Sequence, residues 1–145
     1  MENFFINIYD LFVDGSLLDD LIDEGLIMSL SLSTFFIPFL AAILFYYVIN
    51  SVRFCKKRHW SMMMLIAAVF VFLVNITTCI SMAGKQIPRD KAAAEAGQPV
   101  KFMFDQGDSV FFMFSLQMFL LACLYFLVFS IMVKWWSTNC RKTPF

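Results

Sequence analysis

Residues 25–52, 60–84 and 109–133 contain no Asp, Glu, Lys or Arg. A helix rises about 1.5 Å per residue, so about 20 apolar residues cross the hydrocarbon of a bilayer. Each of the three stretches is longer than that. The chain as a whole is 61% hydrophobic and only 15% charged, against about 25% charge in soluble domains. These runs predict an all-α integral membrane protein with three transmembrane helices, preceded by short amphipathic interfacial helices.

Between the first two runs lies a basic elbow, Arg53-Phe54-Cys55-Lys56-Lys57-Arg58-His59-Trp60. Lys and Arg collect in short cytoplasmic loops because their translocation is unfavourable, so Arg53, Lys56, Lys57 and Arg58 are the expected topology signal. Before the elbow stand seven acids (Glu2, Asp10, Asp14, Asp19, Asp20, Asp23, Glu24) and no Lys or Arg. After Asp108 come Lys134, Arg141 and Lys142 and no acid. The formal net charge of zero therefore conceals a segregation that predicts N-terminus out and C-terminus in. Trp60, Trp135 and Trp136 flank the cations and are expected to anchor the headgroup region.

The expected organisation is an acidic extracytoplasmic lead-in over 1–30, transmembrane helices over 31–52, 62–84 and 109–134, the elbow over 53–61, an extracytoplasmic loop over 85–108 and a basic tail over 135–145. In the lead-in, Phe4, Phe5, Ile8, Leu11 and Phe12 share one helical face, opposite Asn3, Asn7 and Asp10. Ser16 is placed to cap a second short helix carrying Leu17, Leu18, Leu21 and Ile22. No basic n-region or cleavage site marks a secretory signal, so no segment is expected to be removed. Pro38 is expected to kink the first span, with Ser31, Ser33 and Thr34 re-satisfying the carbonyl that it frees. Helix-forming sequence from Lys91 stops at Gly97 and Pro99. Phe102, Met103 and Phe104 are expected to dip into the interface, and Asp108 or Ser109 to cap the third span.

Ala67, Val71, Asn75, Thr78 and Met82 recur at helical spacing on the second span. Small and polar side chains let helices approach and hydrogen-bond, so this stripe should face protein. Gln117 and Tyr125 are the polar groups of the third span and are read the same way. The Asn75-Ile76-Thr77 glycosylation sequon lies inside a span and is expected to be unused.

Sites of chemistry are not in evidence. No paired carboxylates, nucleophile–base arrangement or phosphate-cradling Gly loop occurs, so no catalytic or cofactor-binding residue is assigned. Cys55, His59 and Cys140 share one side and could make a three-ligand zinc site, but Cys-x-x-x-His alone is a weak pattern and a fourth ligand is missing, so no metal is assigned either. Both juxtamembrane cysteines are sites where palmitoylation would be possible. There is no Cys-x-x-Cys, and Cys79 and Cys123 read as small buried hydrophobes. No span carries a titratable group for ion coupling, and apart from the elbow no basic patch suits nucleic acid. The plan resembles small polytopic subunits of bacterial membrane machines. The expected role is a non-enzymatic inner-membrane subunit or anchor that contacts lipid, copies of itself and other membrane subunits. The alternative is a small oligomeric channel or permeabilising protein.

Overall fold

The computed structural model describes residues 15–49, 56–90, 94–95, 97 and 99–136. Over these residues the protein is helical and holds no strand, with three helices long and apolar enough to cross a membrane. Helix α1 covers Gly15–Asp23. Helix α2 covers Leu26–Ile43 and continues as a π-helical stretch, Leu44–Ile49. Helix α3 covers Lys57–Ala83 and α4 covers Asp108–Val133, which ends in a 3-10 turn, Lys134–Trp136. The amphipathic stretch expected before Gly15 lies outside the described residues.

Helix α1 ends because Gly25 takes a left-handed conformation, φ 66° and ψ 18°, with its amide donating to the Ile22 carbonyl at 2.9 Å. Any residue with a Cβ would lose about 1–2 kcal/mol there. The turn folds α1 back so that Leu17, Leu18 and Leu21 are buried in the main core. The amphipathic helix thus packs on protein, not on lipid alone. Its helical segment begins at Gly15, one residue before the serine expected to cap it, so Ser16 falls in the first turn.

Pro38 lies inside α2 and is buried. The hydroxyls expected to compensate it do not do so. Ser31 donates to the Ile27 carbonyl at 2.5 Å, while Ser33 and Thr34 donate to Leu30 at 2.7 and 2.8 Å. A helical hydroxyl reaches back three or four residues, whereas the carbonyl that Pro38 frees belongs to Thr34. Only positions 37 and 38 stand at the right spacing, and Ile37 has no donor.

In lipid the hydrophobic effect does not drive helices together, so close packing must. Ala41, Ala42, Ala67, Ala68 and Ala122 are all buried between the spans, and α4 packs against both α2 and α3. Phe35 meets Phe129 edge-on at 5.0 Å, and Phe39 meets it at 5.1 Å.

The connection from α3 to α4 is clasped by two antiparallel bonds. Arg89 N–H donates to Lys101 at 3.0 Å, and Met103 N–H to Ile87 at 2.7 Å. Gly97 has φ 72°, the stop expected of it. Met103 and Phe104 are buried in the core, while Phe102 is exposed; the apolar triplet packs chiefly on protein, because the clasp turns its last two side chains inward. Helix α4 takes Gly107 as its N-cap without a side-chain bond, and Asp108 occupies the first turn. Neither Asp108 nor Ser109 is the cap, though a carboxylate in the first turn still favours the helix electrostatically.

Candidate functional site

Three polar constellations stand at three depths of the bundle. At the loop end, Asp20 is 2% exposed, an acid on the buried side of α1 between Leu18 and Leu21. Its Oδ2 accepts from Arg89 Nη2 at 2.9 Å, from the Phe104 amide at 2.9 Å and from Gln106 Nε2 at 2.6 Å. The three donors come from both sides of the clasp and the approach to α4. Phe104 has φ 57°, a strained conformation for a bulky residue. Its buried ring and its bond to Asp20 hold it there. The sequence places Asp20 only among the acids of the lead-in. The signal that it belongs elsewhere is its spacing, one turn from Leu17 and beside Leu21.

In the middle of the bundle, the expected packing residues separate. Ala67, Val71 and Asn75 are buried, with Asn75 wholly enclosed. Thr78 is half-buried and donates to Val74 at 2.7 Å, while the neighbouring Cys79 is fully buried and Met82 continues the line. Tyr125 is half-buried and meets Phe35 edge-on at 5.5 Å, between α2 and α4. Asn75 Nδ2 donates to the Val71 carbonyl at 2.8 Å. Its Oδ1 is buried without a hydrogen-bond partner, and so is Gln117 Oε1. Gln117 is only half-buried. It borders an apolar cleft of about 80 Å³ with Met118, Leu120, Leu121 and Leu124, and Leu120 and Leu124 are exposed beyond it.

At the elbow end, Trp60 is half-buried and donates through Nε1 to Ser130 Oγ at 3.1 Å. The buried Tyr46 side chain joins the same group by hydrogen bonds with Ser130 and Trp60. Trp60 thus ties α2, α3 and α4 together in addition to any anchoring role. Trp135 is exposed, with Lys134 Nζ 5.5 Å above its ring. Lys56, Lys57 and Arg58 are exposed. Arg53, Cys55, Cys140 and the side chain of Trp136 lie outside the described residues.

Cys79 and Cys123 are free thiols. Among the described residues no three His, Cys, Asp or Glu side chains converge to hold a metal ion. The arrangement is one of packing and hydrogen bonding in a membrane-embedded bundle. No protein family, characterised protein or solved structure matches the chain.

Proposed function

We propose that this chain is a non-enzymatic integral subunit or anchor of a larger assembly in a bacterial inner membrane, self-associating, with its N-terminus outside and its C-terminus inside. The observation that carries the reading is Gln117. An amide oxygen without a partner is costly in hydrocarbon, where no water competes to satisfy it. Gln117, Leu120, Leu121 and Leu124 follow helical spacing along one face of α4, and the cleft beside them has room for a side chain from a further helix. The Gln117 oxygen is enclosed while the rest of its side chain borders that cleft, so a turn of the side chain toward the cleft would bring the amide to a donor on that helix. Such intramembrane bonds contribute about 0.6 kcal/mol on average and up to roughly 1.7.

The orientation rests on charge. Of the 11 Lys and Arg, four lie in the elbow and three at or beyond the end of α4, while all 11 acids lie in the lead-in and the 85–108 loop. That is the distribution the positive-inside rule describes.

The test is purification in mild detergent with determination of the particle mass, together with disulfide cross-linking of a Leu124→Cys variant in membranes. Particles larger than the monomer, and a cross-linked dimer suppressed by Gln117→Leu, are expected. A monomer without partners would overturn the reading. Selective ion flux from purified protein in liposomes would replace it with the channel.

A further inference from the structure

We infer that the elbow end of the α2–α3 groove is a binding site for one anionic phospholipid, its headgroup held by Lys56, Lys57 and Arg58 and one acyl chain lying in the groove. The first observation is electrostatic. Helix α3 opens with Lys57 and Arg58 in its first turn, has Lys56 at its N-cap, and holds neither an acidic residue there nor a side-chain capping bond. A helix N-terminus carries about half a positive charge and up to four amides without partners in the helix. Adding cations to it sets like charge on like. An anion relieves both terms, since helix N-termini and Lys/Arg clusters each bind phosphate. No Asp or Glu is near it in sequence: residues 25–84 contain none.

The second observation is the groove, and it is independent of the first. A largely apolar hollow of about 200 Å³ lies beside these cations, lined by Phe45, Ile49, His59, Met62 and Met63. A second hollow of about 260 Å³, which Met63 also lines, lies between α2 and α3 and reaches Phe70. From His59 to Phe70 is about 16 Å along a helix, close to half of a hydrocarbon core about 30 Å thick. The two hollows together cover about the depth of one leaflet, starting beside the elbow cations. Lys56, Lys57 and Arg58 immediately precede His59, which lines the hollow nearest the elbow.

The inference requires only that the three helices lie in a bilayer, so it stands or falls apart from any assembly with other chains. Its test uses the purified full-length chain carrying Trp135→Phe and Trp136→Phe, which leaves Trp60 as the reporter beside the groove. In nanodiscs of phosphatidylcholine, a fraction of brominated phosphatidylglycerol is compared with the same fraction of brominated phosphatidylcholine as quencher. Nanodiscs present both leaflets equally, so an altered insertion preference does not enter. Phosphatidylglycerol should be enriched at Trp60 by roughly fivefold or more at low salt, the order expected per engaged cation, and less as ionic strength rises. Lys56→Gln with Lys57→Gln and Arg58→Gln should bring the ratio near one. Ile49→Phe, which fills the groove without changing charge, should lower it as well, with circular dichroism confirming the helices in each variant.

Equal quenching by the two lipids would overturn the inference and leave the cations to an acidic segment of a protein partner. Enrichment that survives the three Gln substitutions would overturn it by removing the headgroup contacts. Enrichment that survives Ile49→Phe would reduce it to diffuse attraction without a site.

Discussion

Arg89 Nη2 stands 2.9 Å from each carboxylate oxygen of Asp20, across 69 positions of chain. The pair is unequal: the Asp20 side chain is 2% exposed and that of Arg89 is 38% exposed. Truncating the acid should therefore do more harm than truncating the base. Asp20→Ala leaves the buried Phe104 amide without its acceptor, a loss of about 1–3 kcal/mol for such a group. Arg89→Gln leaves Asp20 two donors and removes a pair that water partly screens, for roughly 1 kcal/mol or less. Hydrogen exchange at Phe104 and tryptic cleavage after Lys101 should accelerate more in Asp20→Ala than in Arg89→Gln. The opposite order would mean that the clasp does not depend on the carboxylate.

The Trp60–Ser130 bond predicts a coupling. Trp60→Phe and Ser130→Ala should each destabilise the bundle in detergent, and the double variant should cost less than their sum. The interaction energy of the cycle is expected at about 0.6–1.7 kcal/mol, the range for intramembrane bonds. Additive effects would show that the two side chains act separately.

The two intramembrane amides should respond differently to replacement by Leu. Asn75 is wholly enclosed and its Nδ2 bonds within its own helix, so no other chain reaches it. Asn75→Leu should leave assembly unchanged. Gln117→Leu should reduce self-association by about threefold to twentyfold, the equivalent of 0.6–1.7 kcal/mol. Equal effects on particle mass would place both amides in the same role, as their shared polar character within the spans suggests.

Orientation is open to direct labelling. A cysteine at the exposed Gln86 should react with an impermeant reagent in intact cells, and Cys140 only after permeabilisation. Neutralising Arg53, Lys56, Lys57 and Arg58 should give mixed insertion, because three basic residues at and beyond the end of α4 still favour one side. Homogeneous insertion of that variant would assign orientation to the acidic N-terminal part.

The three spans were legible because each is a local property: an uncharged run long enough to cross a bilayer needs no knowledge of its neighbours. The stripe through Ala67, Val71 and Asn75 was legible for the same reason. The hub at Asp20 was not. Its partners lie 69, 84 and 86 residues away, and the clasp that presents them depends on two backbone bonds between Ile87–Arg89 and Lys101–Met103. Nor did composition distinguish Trp60 from Trp135, since a tryptophan beside cations suits a headgroup and a helix junction equally well.

The π-helical stretch Leu44–Ile49 has a consequence for how this span tolerates changes in length. A π turn closes its hydrogen bonds over five residues where an α turn uses four, so it stores one residue beyond α register. Each residue turns an α-helix by about 100°. Removing one residue among 47–49 would let the stretch tighten to α geometry and absorb the shortening locally, leaving the buried Phe45 and Tyr46 in place. The same deletion in the middle of α3 has no such reserve. It would rotate every position beyond it by about 100°, carrying Asn75 from the interior to the acyl chains.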